Sequence, residues 1–381
     1  MKNTKAIKLI ILLCAAITIV IIFSGIEQYD PIENLTIVVG SGYDIEKVTS
    51  DNVVYKVPRS TYIFESTSSV INRVLTGTSM SIGETRQDRQ TKLDKLDILG
   101  LDKTFIISEE TAYYGVKPIV DILYKNPMVN NNANVSVCKG KAITLLKFKI
   151  PNSPSSSDYI DGLIRSAKDH NFFSSEYTLS NLFVRAGAEG RNIVLPYIEI
   201  KKEEYSSNES TIEITGSALF KKYNMITKLD IDDTRIMNLL RENNVKGILK
   251  IQDSSKKFVE YYGKSKRKVK CSKEGEKYIF TINIDLTGDV ITNQLLKDLN
   301  DDLNVKKELE NNLAQVTEKQ CYEFIDKMKN VYKIDCLELG RTAASKYGRR
   351  TGVDWNEIIS KSDIRVDVKV HLDKQGRGHF M

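Results

Sequence analysis

The feature that most constrains this chain is its start. Leu9 to Phe23 are apolar apart from Thr18, and the wider stretch Ala6 to Ile26 is broken only at Lys8, Thr18 and Ser24. A helix that crosses hydrocarbon needs about 20 mostly apolar residues. Lys8 can lay its stem along the apolar surface and still reach the headgroups. Backbone amides in hydrocarbon must be satisfied internally, so the stretch reads as one continuous helix. Lys2, Lys5 and Lys8 precede it, whereas Glu27, Asp30 and Glu33 follow it. That asymmetry puts Met1 in the cytoplasm and everything after Ile26 outside. A cleaved signal peptide shares the basic start, but its core spans about 7–15 residues and ends at a small-x-small site. Cys14-Ala15-Ala16 offers small residues, yet the apolar run continues past them. Cleavage near Ser24-Gly25 would leave Ile22 or Phe23 at the minus-three position. Residues 1–26 are therefore a membrane anchor or signal segment, with the uncleaved anchor the better reading. The flanking charges argue against a cytoplasmic core helix.

The remainder is too long for one ordinary domain and predicts two or three globular units. Lys2, Lys5 and Lys8 supply three of the 56 Lys and Arg residues, set against 50 Asp and Glu. The body is thus nearly neutral, which excludes a nucleic-acid footprint. The densest basic run, Lys264 to Lys270 (KSKRKVK), lies between strand-like segments. It reads as a solvated hairpin loop, with a phosphate or lipid-headgroup patch as the alternative. Of five cysteines (Cys14, Cys138, Cys271, Cys321 and Cys336), none forms a C-x-x-C pair, so no zinc or redox site is signalled. Cys321 and Cys336 sit at core-like positions and read as buried free thiols.

Organisation follows from periodicity. Leu35 to Gly40 reads as a buried strand, and Gly40-Ser41-Gly42-Tyr43-Asp44 as a tight turn into the strand Val53 to Val57. A dinucleotide fingerprint would need a helix at once, and none follows. A short helix is expected over Thr67 to Leu75, and a surface loop or helix over Ser79 to Leu93, which carries Arg86, Gln87, Arg89 and Gln90. Thr104 to Ser108 is a strand, Ser108-Glu109-Glu110 starts a helix, and Pro118 opens another with Ile119, Ile122 and Leu123 as its stripe. Val135 to Cys138 is strand-like and Lys141 to Lys147 helical. Pro151 to Asp158, with two prolines and four serines, is the clearest loop. Ile160 to Ala167 is an amphipathic helix, Thr178 caps another, and Ile193 to Ile200 is extended.

The polar run Lys201 to Ser210 marks the main boundary. It divides the body into residues 27–205, with a possible subdivision near 151–158, and residues 206–381. Thr211 to Phe220 returns through Asn224-Met225 into Ile226 to Leu229. Asp232 or Asp233 caps a helix through Ile236, Leu239 and Leu240 that ends near Gly247, and Ile248 to Gln252 is a strand. Phe280, Ile282, Ile284 and Leu286 alternate with polar residues, as do Ile364, Val366, Val368, Val370 and Leu372. Strands with one buried face are typical of antiparallel sheets. Between them, Leu309, Leu313, Val316, Phe324, Met328 and Val331 mark a long helix over about 305–332 that packs on the sheet. The expected fold class is α+β: mixed, mainly antiparallel sheets packed with helices, after an N-terminal transmembrane helix.

Chemistry is not signalled. His170 sits in a polar loop, His371 on the polar face of the last strand, and His379 in a frayed tail; none has a Cys or carboxylate at metal spacing. There is no G-x-S-x-G, H-E-x-x-H or P-loop. Asp232-Asp233 and Asp301-Asp302 read as helix caps and first-turn charges. No catalytic, cofactor-binding or metal residue is nominated.

The stretch Ser24 to Asp44, with its strand and Gly-x-Gly-x-Asp, resembles the start of the Ger(x)C family, the C subunits of spore germinant receptors. Ile107 to Ala112 with Gly115 is similar to the family's GEELA…G helix, and Leu195-Pro196-Tyr197-Ile198 to its LPYI segment. Gly216 to Phe220 with Asn224, Met225 and Leu229 resembles the start of its C-terminal domain. Gln320, then Asp335-Cys336-Leu337-Glu338-Leu339-Gly340, Trp355 and the Ile364 to Leu372 strand resemble its end. The resemblance implies a mixed α and β fold in several units and a non-enzymatic role in nutrient-triggered spore germination. It implies the receptor's A and B subunits as partners, no cofactor, a small-molecule germinant bound by a partner subunit, and a body on the outer face of the spore inner membrane. The family is usually lipidated at a lipobox cysteine. Here Ile26 occupies that position and Cys14 follows Leu12-Leu13, so no lipidation site is nominated. An extracytoplasmic solute-binding protein or surface enzyme with a converged site is the alternative.

Overall fold

The computed structural model describes residues 2–24, 34–48, 52–64, 70–98, 100–202, 210–296, 299, 302–349, 352–375 and 378–379. Ile26 and Asp301 lie outside the described residues. The apolar start is helical as expected: α1 (Lys2–Ser24) runs 23 residues without a break. Its described side chains, those of Ile7, Lys8 and residues 10–20, are all exposed. Among the described residues, no helix is long and apolar enough to cross a membrane.

The first sheet is mixed. Its centre is β1 (Leu35–Val48), β5 (Thr104–Ser108), β6 (Asn134–Cys138) and β7 (Val194–Lys202), paired parallel in that order, with the short β4 (Leu96–Ile98) also parallel to β1. Antiparallel strands flank this centre. β2 (Val53–Phe64) and β3 (Val70–Ser79) extend one side; β8 (Ser210–Lys221) and β9 (Asn224–Leu229) extend the other. All five residues of β5 and of β6 are buried, because helices cover both faces of a parallel centre. Phe105, Ile107, Val135 and Val137 pack with Ile119 and Leu123 of α4 (Lys117–Tyr124) and Leu182 of α7 (Leu179–Gly187). Ile106, Cys138 and Ile198 face the other way, onto α5 (Ala142–Lys147) and α6 (Ser156–Ala167). Ser108 caps α3 (Glu109–Tyr114) and Thr178 caps α7, as their sequences predict.

The second sheet has the order β10 (Lys246–Ser254), β11 (Lys257–Glu274), β12 (Lys277–Asn293), β13 (Asp363–Gln375), β14 (Gly378–His379). Phe280, Ile282, Ile284 and Leu286 are fully buried, and the even-numbered residues of β13 lie against them. The long helix appears as α9 (Leu303–Asp326), prolonged by a π-helical turn over Lys327–Tyr332. It shares one core with α8 (Ile231–Arg241), α10 (Leu339–Tyr347) and α11 (Trp355–Lys361).

Several expectations are corrected. Gly40 to Asp44 is not a turn: β1 continues through it to Val48. Its glycines allow close packing instead. A Cβ on Gly40 would lie 2.0 Å from Ser157 Oγ, and one on Gly42 2.8 Å from Pro58 Cγ and 2.9 Å from Ala142 Cβ. The helix expected over Thr67 to Leu75 is strand β3 from Val70 onward, because ladder pairing to β2 outweighs local propensity. In the polar stretch after it, α2 (Thr85–Gln90) buries Arg89 completely rather than leaving it on the surface. The loop after Pro151 is shorter than its prolines and serines suggest: Ser155 caps α6, and Ser156 and Ser157 are buried.

In the second half, the cap of α8 is Asp230, whose side chain accepts from Asp233 N; Asp232 and Asp233 occupy the first turn, and the helix stops at Arg241. The two alternating strands β12 and β13 are neighbours that run parallel, joined through α9 to α11. On α9, Val316 is 38% exposed, and on the π-helical turn Val331 is 68% exposed, because the stripe advances through Thr317, Cys321 and Ile325 instead. The run KSKRKVK is not a hairpin loop. It lies in mid-β11, with Lys264, Lys266, Lys268 and Lys270 exposed on one face and Ser265 buried on the other. His379 is held in β14 rather than frayed.

Candidate functional site

Alternation along β11 sends Arg267 to the opposite face from its four lysine neighbours. It enters a cleft of about 990 Å³ where the end of α7, the end of α8, β11 and the start of α10 meet. Arg185 arrives on α7, Arg191 on the loop before β7, Arg241 at the last position of α8, and Arg341 in α10.

The organiser is Asp335-Cys336-Leu337-Glu338-Leu339-Gly340. The Asp335 carboxylate accepts from Leu337 N and Leu339 N, both at 3.1 Å, and from Gly340 N at 2.7 Å. It folds the segment into a turn. Asn356 Oδ1 accepts from Asp335 N at 2.9 Å, and Asn192 Nδ2 donates to Asp335 O at 3.0 Å. Complete burial pushes the Asp335 carboxyl up to about 6 against the pull of those three amides. Two carbonyls of the turn point at arginines: Arg241 Nη1 donates to Cys336 O at 2.7 Å, and Arg267 Nη2 to Leu337 O at 3.0 Å. Gly340 packs on Gly190, where a Cβ would lie 3.0 Å from Gly190 Cα and 2.8 Å from Trp355 Cβ; Arg341 N donates to Gly190 O at 2.9 Å.

Glu338 sits at φ 57°, a left-handed conformation uncommon outside glycine. The strain places its carboxylate among four guanidiniums: Arg241 at 2.9 Å, Arg185 at 3.1 Å, Arg191 at 3.2 Å and Arg341 at 3.4 Å. Burial raises its pKa, but Arg241, Arg185 and Arg191 more than offset that and hold it down at about 2. Glu242 pairs with Arg241 at 3.0 Å and Arg185 at 3.2 Å. Arg185 also reaches Glu176 at 2.9 Å. Arg191 is held below its ordinary value by burial and by its neighbouring arginines, with Glu338 opposing. The arrangement concentrates positive charge.

A second cavity of about 300 Å³ lies under α2. Asp97 accepts from Arg59 at 3.0 Å and from the buried Arg89 at 3.2 Å, and Ser41 donates to Asp102 at 2.8 Å. Nearby, the Asp of Gly-x-Gly-x-Asp has a structural role. Asp44 accepts from Ala142 N at 2.7 Å and Ile143 N at 3.0 Å, capping α5 from a distant strand.

The residues weighed from sequence do not converge. His170 lies against Tyr262 with ring centroids 5.7 Å apart, and His371 is exposed on β13. Asp233 pairs with Lys327 at 2.8 Å, Asp232 with Arg235, and Asp302 caps α9. Cys138, Cys271, Cys321 and Cys336 are buried free thiols, and Cys14 is exposed. Among the described residues no group of His, Cys, Asp and Glu has metal-binding geometry. The arginine cleft leaves little trace in the sequence because its members are scattered over more than 150 residues. Its one visible signal was the arginine inside a lysine run.

The cleft is built from the Asp335 to Gly340 segment quoted above, and comparison with known proteins tests that resemblance. Residues 28–200 match the family described as spore germination protein N-terminal domain. Residues 215–376 match the family described as spore germination B3/GerAC like, C-terminal. The chain belongs to the Ger(x)C family. Among its relatives is the spore germination protein GerQC of Bacillus cereus, 23% identical over 286 residues, which is 73% of this chain and 76% of that protein. The putative spore germination protein YfkR of Bacillus subtilis is 29% identical over 146 residues, 37% of this chain and 36% of that one. The crystal structure of the GerBC protein superimposes with a TM-score of 0.56 and 16% identity, covering 87% of this chain and 97% of that one. This Ger(x)C chain thus has the mixed α+β fold of GerBC, and its family gives it a role in spore germination.

Proposed function

We propose that this chain is the non-enzymatic C subunit of a nutrient germinant receptor and acts by assembling with the membrane A and B subunits. The observation that carries the reading is the succession of two family matches, residues 28–200 and 215–376, across most of the chain. They lie on either side of the polar run, which supports a division of the body into 27–205 and 206–381 in which β8 and β9 of the second part pair into the first sheet. The small-molecule germinant is bound by a partner subunit. The unbroken helix α1, its lysine-rich start and its exposed apolar side chains support a single anchor in the spore inner membrane, with the body on the outer side.

Detergent extraction of spore membranes carrying a tagged full chain tests the assembly: the A and B subunits should co-purify. Recovery of the tagged chain alone, under conditions that keep A and B together, would sink it. Mass spectrometry of the mature N-terminus tests the anchor. A chain beginning near Ile26, or a lipid on Cys14, would refute the uncleaved helix. The arginine cleft favours one second reading, an extracytoplasmic solute-binding protein or surface enzyme. Saturable heat on titrating the purified body with amino acids would favour it.

A further inference from the structure

We propose that the arginine cleft between the two sheets is a binding site for a phosphate group. Eight cationic and four acidic side chains line it. Every acid is committed: Glu338 to four arginines, Glu242 to Arg185 and Arg241, Glu176 to Arg185, and Asp169 to Lys246. Among the described residues, Arg267, Arg349 and Lys168 of the same cleft have no carboxylate within ion-pair distance. Three of the four surplus positive charges therefore sit on these side chains.

Arg267 is the second, independent observation. Its guanidinium enters the cleft with Nη2 donating to Leu337 O, while Nε is shut off from solvent with no hydrogen-bond partner. Arg267 is only half-buried and lines the cleft, so the part of its guanidinium that Leu337 O leaves free is open to a ligand there. A guanidinium fork matches two oxygens of a phosphate at once, and several arginines with a net surplus suit a dianion better than a single carboxylate. The walls also limit the source. Arg267 lines a concavity whose other walls include residues of α7, α8 and α10, which a flat bilayer cannot enter without a protruding headgroup. A small soluble phosphate compound and a phospholipid headgroup share the recognised chemistry. This inference stands on the cleft alone and does not depend on the receptor assignment.

The test uses the full chain in uncharged detergent micelles. Inorganic phosphate is titrated by calorimetry at constant ionic strength, and flotation with phosphatidylglycerol vesicles is measured in parallel. Saturable 1:1 binding of phosphate supports a soluble source, and capture by phosphatidylglycerol vesicles beyond that by phosphatidylcholine vesicles, which α1 alone would give, supports a headgroup. In either case Arg267→Gln should weaken binding at least tenfold, and Lys268→Gln, on the outer face of the same strand, should change it less than twofold. If Arg267→Gln fails to fold by near-ultraviolet circular dichroism, Arg349→Gln on the rim should still weaken binding severalfold. No saturable binding of either probe overturns the proposal, as does binding indifferent to Arg267→Gln and Arg349→Gln.

Discussion

Arg241 and Glu338 form an ion pair at 2.9 Å with their side chains 1% and 11% exposed, joining the last residue of α8 to the residue before α10. They lie 97 positions apart in the chain. The contact fixes the helix that leaves the first sheet against the segment that returns to the second.

Glu338→Gln should destabilise the protein by about 3–5 kcal/mol, because it strands several buried guanidiniums without their shared anion. Urea unfolding at neutral pH measures the loss. A change below about 1 kcal/mol would mean the arginines relax onto other acceptors.

The same residue sets a pH dependence. Its folded pKa, about 2, lies below the ordinary 4.5, so its stabilisation is fully present above 4.5 and is lost as pH falls toward 2. The gap in stability between wild type and Glu338→Gln should therefore close between pH 4.5 and pH 2. A gap that stays constant over that window would show that Glu338 does not titrate as its neighbours require.

Gly42→Ala should cost about 1–3 kcal/mol, since the added methyl lies within 3.0 Å of Pro58, Ala142 and Leu146 in a packed core. Thermal unfolding reports it as a lowered midpoint. An unchanged midpoint would return the Gly-x-Gly to the tight turn its sequence suggests.

The thiols of Cys138, Cys321 and Cys336 are buried, and burial pushes all three up, Cys321 to about 12. A charged maleimide should leave these three unlabelled in the native protein and label them in denaturant. Native labelling of Cys321 or Cys336 would contradict the single core that α9 shares with the second sheet.

What the sequence discloses and what it hides divide along physical lines. Period-two alternation identified β12 and β13, whose burial depends on local pattern, and the caps Ser108 and Thr178 mark helix starts by short-range bonds. Pairing direction is not local: the same alternation suits the parallel neighbours that β12 and β13 prove to be. Lysine density in KSKRKVK outweighed its alternation, which already separated Arg267 and Val269 from the four exposed lysines. In sequence Arg89 looks like a surface residue, because its partner Asp97 and the carbonyl of Val57 become neighbours only on folding. The Asp335 to Gly340 segment was recognised by resemblance, while its physical task, turning the chain so that two carbonyls and Glu338 meet the arginines, needed three dimensions.

The receptor reading is tested most directly by germination of spores that lack this gene. Loss of optical density is followed after addition of nutrients and, separately, after a membrane-permeabilising agent. The account predicts that the nutrient response is lost, the response to the agent is kept, and reintroducing the gene restores the first. A normal nutrient response in the deletion strain, with no paralogue present, would contradict it.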